Sequence, residues 1–531
     1  MTEIERSNDA IFYGWLQFAG ADLGDIGSCH GIPVFSESGR RWIQKQTGVQ
    51  DIFSGVYDAS EQSFRQIHPE SISVLLRLDD IIPRHDIESW ADAFHTSSLR
   101  LVFPVFSREL FQETIDAAYD KPDPISLKVS SARTCILAFV AMLSKLEPEK
   151  VPAISQHDVA LYAAAAEQSL LSALGTPTLI SLQACLMLVI YQDFSGQLQS
   201  AAMLLSLACR CVFALRGHRR TSGATSTVED THKREYFWLC YFFDKHISLR
   251  TGQPPALSDA QLDLDLPLNY DFYALPQDGS EILSFSSDIL YPCDLKLTKI
   301  KSQIFSVLNS RTAATKTNAQ LIVDITAMDA ELESWRLSVP EELRPRLSNV
   351  SDMIHGNMHH VAKMLLIYSH LEYYFLLAAV HRTSGRSGTW WDGGALELGA
   401  LRSSMHVSVE ASRSTLRLLK SGLWDIHKES FWLFIFYPIW AAMTIFCYIL
   451  YEPTSSDVQT DLNLLKLLPR LPRRDMKGFS RYNQERQNVA ICVYGTKMPQ
   501  NATKLPKMSG FSNNAVITSK TLAMINCSTL V

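Results

Sequence analysis

The chain has 531 residues, 47% of them apolar and 20% charged, with a formal net charge of −6. That balance supports a large buried core and gives no sign of a chain that grips nucleic acid by itself, because such modules are usually basic. The ten cysteines are scattered without a single C-x-x-C pair, which speaks against a disulfide framework and for a reducing compartment.

In chain order, residues 1–50 form a mixed, loop-rich segment whose start, MTEIERSNDA, lacks the apolar stretch of a secretory signal. Residues 51–90 read as a linker. Helical periodicity sets in near Ile87 and persists to about Tyr451, defining a helical body over 91–465. Predicted helices cover Ala132–Leu146, His157–Leu174 with a Gly175/Pro177 stop, Pro177–Tyr191, and Gln197–Leu215 ending at Gly217. The Gln197–Leu215 helix shows only a thin polar stripe of Gln199, Ser206 and Arg210, as expected of a helix with neighbours on most sides. The next helix opens on Glu229 and Asp230, acids suited to the positive end of the helix dipole. It runs through the apolar stretch Tyr236–Phe243 and closes at Gly252 and Pro254. Later helices are expected over Tyr291–Leu308, Asn318–Leu337, His355–Val380 and Ser403–Lys420. The fold class is all-α, a large multi-helix bundle. Residues 466–531 form a basic tail, and Arg486–Val531 contains no acidic residue, the composition of a disordered segment.

Phe431–Tyr451 carries no charge over 21 residues, long enough to span a bilayer. Its mid-span Tyr437 and Trp440, and its aromatic content, instead favour a helix buried in the bundle. A tail-anchored membrane protein is the competing reading of this segment; the expectation adopted is no membrane.

Motifs for catalysis are missing. There is no P-loop, no dinucleotide-binding glycine fingerprint, no H-E-x-x-H and no G-x-S-x-G. Weaker constellations have plainer readings. His355, His359 and His360 lack a further ligand, and Cys209 and Cys211 point apart on a helix. Cys29 and His30 are adjacent, which rarely allows nucleophile–base geometry. Gly393-Gly394 has no preceding strand. Asp263 and Asp265 alternate on one side of an extended DLDLP stretch, a solvated edge sooner than an acid/base pair. No catalytic residue, metal ligand or cofactor site is therefore expected. Asp244 follows eight apolar residues and needs a buried partner; Arg210 or Arg216 is the expected one, with a ligand-sensing pocket as the alternative. The basic runs Arg216–Arg220 and Arg470–Lys477 fit solvated helix ends, and the second also fits a nuclear import signal.

The segment HKREYFWLCYFFDKHISLRTGQPPALSDAQLDLDLP, with Arg234, Phe237, Trp238, Asp244, Ser248, Leu249, Gly252, Pro254, Asp259, Asp263 and Pro267 in place, resembles the signature of the fungal-specific transcription factor domain, or middle homology region. Gln253 stands where an Arg is more usual. GIPVFSESGRRWIQKQTG (31–48), FPVFSRELF (103–111), FSGQLQSAAMLLSLACRCVFALRGHRR (194–220), LESWRLSVPEELRP (332–345), YSHLEYYFLLAAVHR (368–382) and YILYEPTSSDVQTDLNLL (448–465) are similar to its other blocks in matching order.

The resemblance implies a nuclear regulator of transcription whose signature residues Phe237, Trp238, Asp244, Gly252 and Pro254 are structural. In that family DNA is usually read through a six-cysteine zinc cluster. Only one cysteine precedes Cys135 here, so the zinc ligands are not evident; the DNA-binding part is expected either to be missing from this sequence or to be supplied by a partner. Expected partners are other transcription regulators, with room for a small-molecule effector and a homodimer. The alternative function is a helical metabolite-binding protein or enzyme on the same fold.

Overall fold

The computed structural model describes residues 15–29, 32–35, 37–48, 82–119, 127–151, 154–172, 176–220, 227–267, 270–273, 289–347, 360–387, 395–422 and 431–467. Near the N-terminus, β1 (Trp15–Phe18), β2 (Ala21–Cys29) and β3 (Ile32–Val34) form an antiparallel sheet in the order β1-β2-β3. Ala19 and Gly20 both have positive φ, 46° and 82°, which is what a two-residue hairpin turn demands. Helix α1 (Glu37–Thr47) packs on β2. This sheet joins an otherwise helical body; β1 and β3 are too short to impose a readable two-residue period, and in β2 (ADLGDIGSC) the alternation of apolar residues breaks after Leu23.

The body begins with α2 (Arg84–His95), inside the span read as linker, whose residues 51–81 lie outside the described residues. It continues through α3 (Leu99–Val102), α4 (Arg108–Tyr119), α5 (Leu127–Leu146), α6 (Gln156–Ser172), α7 (Leu179–Phe194), α8 (Leu198–Ala214) and α9 (Val228–Thr251). Then come α10 (Leu295–Leu308), α11 (Arg311–Ala314), α12 (Asn318–Ser338), α13 (His360–Arg382), α14 (Ala395–Gly422), α15 (Phe431–Tyr451) and α16 (Val458–Leu465). One apolar core runs from Phe18 to Leu465.

Local chemistry sets the helix ends. Thr178, Thr227 and Thr317 close capping boxes with Ser181, Asp230 and Gln320, each satisfying backbone N–H groups that a helix start leaves unpaired. Helix α10 starts at Leu295 and not at the expected Tyr291, because Tyr291 sits at φ 59°, which cannot continue a right-handed helix. Arg413 of α14 grips Asp461 of α16 with two bonds, Nε–Oδ1 at 2.7 Å and Nη2–Oδ2 at 2.8 Å, so the last helix is fastened to the bundle.

The reading of α8 needs correction. Met203 is 75% exposed and joins Gln199, Ser206 and Arg210 on an open face, so α8 lies at the surface, packing on α7 and α9. Its apolar composition misleads because methionine and alanine tolerate exposure without a polar signal. In α15, by contrast, every residue from Phe434 to Leu450 is buried. Its 434–451 window is 94% enclosed by the protein itself, while α5 carries a second long apolar window, 128–146, that is 67% buried.

Candidate functional site

Helix α9 supplies most of the polar chemistry inside the bundle. Every residue from Tyr236 to Thr251 is buried, and this stretch includes Asp244, Lys245, His246 and Arg250. Phe237 and Trp238 pack edge to face, with ring centroids 5.1 Å apart, and Arg234 lies over both rings at 4.5 and 5.2 Å. The helix ends at Gly252, φ 73°, whose N–H donates to the Ser248 carbonyl at 2.8 Å. That left-handed cap turns the chain back along α9. Pro254 stands exposed just past the cap, where it cannot extend the helix.

Asp244 holds the returning segment. Its carboxylate accepts the Ala256 N–H at 2.7 Å and the Leu257 N–H at 3.1 Å, and Lys245 Nζ lies 3.0 Å away. Lys245 also donates to the Leu257 carbonyl and approaches Asp259 at 3.6 Å. Burial pushes the Asp244 carboxyl up, and Lys245 and the two amides oppose this. The expected partners, Arg210 and Arg216, are both exposed. The partner is Lys245, the next residue, because the return loop carries the backbone past the helix and draws both side chains onto it.

The DLDLP stretch is likewise structural. Arg234 Nη2 donates to the carbonyls of Asp263 at 2.6 Å and Asp265 at 3.0 Å. The Asp263 carboxylate accepts the N–H of Arg220 at 3.2 Å and of Asp265 at 3.0 Å, while the Asp265 carboxylate pairs with Arg220 at 3.4 Å. The two acids thus tie the segment to the connection between α8 and α9.

Deeper in, five helices bring together a charged cluster that sequence reasoning did not single out. Asp193 comes from α7, His246 and Arg250 from α9, Lys301 from α10, Tyr368 and Glu372 from α13, and Tyr437 from α15; all are buried. Arg250 Nη1 lies 3.0 Å from both Asp193 Oδ1 and His246 Nε2. Arginine only donates, so His246 Nε2 is the acceptor and its proton sits on Nδ1, which faces the Tyr368 hydroxyl at 3.0 Å. Tyr368 in turn donates to Glu372 Oε1 at 3.1 Å, as does Tyr437. Lys301 Nζ lies 2.7 Å from Glu372 Oε2. Burial pushes Glu372 up, but Lys301 and His246 overcome it and hold the group far below the usual carboxylate range. His246 is driven down by burial, only partly offset by its hydrogen bond to Glu372. Two acids and two bases therefore balance in a core that excludes water.

Residues 94–337 match the family model described as the fungal specific transcription factor domain. Over that span the chain is similar to a fungal-specific transcription factor domain. Over 480 residues it is 25% identical to the "ABC-transporter-regulating transcription factor" of Aspergillus fumigatus, covering 83% of this chain and 50% of that protein. The protein of the same name from Aspergillus oryzae is 24% identical over 477 residues, with the same two shares. "Activator of stress genes 1" of Saccharomyces cerevisiae is 25% identical over 183 residues, 32% of this chain and 18% of that one. The chain spans about half the length of the Aspergillus relatives.

In this chain Phe237 and Trp238 fill the core, Gly252 reverses the chain, and Asp244 receives it. Among the described residues no group of three or more His, Cys, Asp or Glu is arranged to hold a metal ion. Cys209 faces Cys240 while Cys211 faces Cys185, so the two thiols do point apart. His355, His359, Gly393-Gly394, His30 and Arg470–Lys477 lie outside the described residues, as do the side chains of Cys29 and His360. The missed residues did leave one signal. Glu372 in YSHLEYYFLL and Asp193 in LMLVIYQDF are lone acids on apolar helices, and such acids need buried partners.

Proposed function

We propose that this chain is the regulatory body of a nuclear regulator of DNA-templated transcription, working with other transcription regulators or with DNA reached through a partner. The observation that carries this reading is the match of residues 94–337 to the fungal-specific transcription factor domain, with the signature segment folded as one capped helix and its return loop. Zinc belongs to the DNA-reading cluster usual in the family; the described residues supply no set of ligands for it.

A narrower reading draws on the two Aspergillus relatives, both described as regulating ABC transporters and both aligned over 83% of this chain. On that reading the controlled genes include ABC transporters. The test is disruption of the gene followed by transcript profiling. Reproducible changes in a defined gene set, reversed by restoring the intact gene, support the regulatory reading, and transporter genes within the set support the narrower one. An unchanged transcriptome under growth, stress and xenobiotic challenge would overturn both.

A further inference from the structure

We propose that Arg382, Arg386 and the indole N–H of Trp440 form a receptor for one anionic oxygen group, a carboxylate or a phosphate, carried by a small molecule. The starting point is an imbalance of charge. The central cluster pairs every cation with an acid, and the neighbouring His381 has Asp329 at 3.2 Å and Ser404 at 2.8 Å. Arg382, the last residue of α13, has no carboxylate within ion-pair distance among the described residues. Its Nη1 is shut off from solvent without a hydrogen-bond partner. The guanidinium lies 3.9 Å from the centroid of the Trp440 ring, and Trp440, itself buried, has an indole N–H that also lacks a partner. Two groups in contact thus each present an unused buried donor.

Arg386 sits one turn further on and adds a second cation. Its guanidinium donates to the carbonyl of Leu308, at the end of α10, and no carboxylate among the described residues pairs with its charge. Burial and the repulsion of Arg386 push Arg382 down to about 9, and burial brings Arg386 down to about 10. Unpaired buried charge is costly unless something binds to it. Arg382 and Arg386 are each only partly buried as whole residues, so part of each side chain stays open to solvent. The turn that follows Arg382 and ends in Arg386, Thr383–Arg386, is tied to the N-terminal hairpin by the Gly20 N–H donating to the Gly385 carbonyl at 3.0 Å. The donors are therefore held in place before a ligand arrives. A guanidinium fork suits a planar carboxylate or a phosphate face, offering two parallel N–H bonds to either.

The test is thermal unfolding of the purified full chain titrated with inorganic phosphate and, separately, citrate, at ionic strength held constant with sodium chloride. The expected result is a saturable rise in melting temperature with at least one probe, following the dependence of stability on ligand concentration. The probe that saturates at lower concentration identifies phosphate or carboxylate chemistry. Arg382→Met should weaken binding at least tenfold while leaving the ligand-free protein no less stable than the parent, since it removes an unpaired buried charge. Trp440→Phe, which keeps an aromatic ring and deletes the donor, should also weaken binding, and it serves as the test if Arg382→Met does not fold. The proposal is overturned if neither probe gives a saturable rise, or if the rise is the same in the substituted proteins. None of these outcomes depends on whether the chain regulates transcription.

Discussion

Lys301 Nζ lies 2.7 Å from Glu372 Oε2, with both side chains almost wholly excluded from water. This contact joins α10 to α13 and closes a polar chain that begins at Asp193 on α7. Glu372→Gln leaves the Lys301 charge uncompensated, which by analogy with broken buried pairs costs about 3–5 kcal/mol. Urea unfolding of the purified chain checks it. Replacing both residues, as in Lys301→Met with Glu372→Leu, should recover most of that loss, because the expense lies in the orphaned charge and not in the absence of the pair.

Acid should begin to weaken the fold above the range where carboxylates titrate. His370 is buried and its Nε2 lies 2.8 Å from the Leu343 carbonyl; burial holds its pKa down at about 4, against 6.5 for the free side chain. The unfolded chain takes up the proton near 6.5 and the folded chain only near 4, so stability is complete above 6.5 and is lost progressively as the pH falls to 4. That interval corresponds to roughly 3 kcal/mol. His246 is shifted the same way. Unfolding free energies measured from pH 7 to pH 4 should decline, and the decline should be shallower in His370→Gln.

Asp244→Asn should lower stability by about 2–3 kcal/mol, the scale of a lost charge-assisted bond that leaves its partner buried. The amide can replace only one of the two acceptor oxygens that receive the Ala256 and Leu257 N–H groups, and Lys245 loses the nearer of its two counter-charges, keeping Asp259 at 3.6 Å. A melting temperature equal to that of the parent would show that the return loop is held by something else.

Gly252→Ala forces a side chain into the left-handed region at φ 73°, at a cost of roughly 1–2 kcal/mol. The melting temperature should fall by a few degrees, while far-ultraviolet circular dichroism stays helical, since only the cap of α9 is strained.

How far these features could be read from the sequence depended on whether the signal was local. The bounds of α9 and α15 were legible because acids, glycine, proline and an uncharged run mark them along the chain. So was the need of Asp244 for a partner. Its identity was not, because the loop that brings Ala256 and Leu257 onto the carboxylate is set by the reversal at Gly252, beyond helical periodicity. The exposure of Met203 was hidden for the same reason, since an apolar composition cannot say which face of α8 has neighbours. The cluster around Glu372 escaped because its members lie on five helices, with as many as 244 positions between Asp193 and Tyr437. Arg382 lies two residues past the expected end of its helix at Val380, and nothing local separates it from an ordinary C-terminal cation. Only packing against Trp440 without an acid distinguishes it.

The central functional claim is that this chain works on chromatin as part of a transcription regulator. Chromatin immunoprecipitation of the full-length, epitope-tagged protein expressed from its own locus tests that claim most directly. The account predicts reproducible occupancy upstream of the genes whose transcripts change on disruption. A tagged protein that is stable in the cell yet gives no enrichment over an untagged control at any promoter would contradict it.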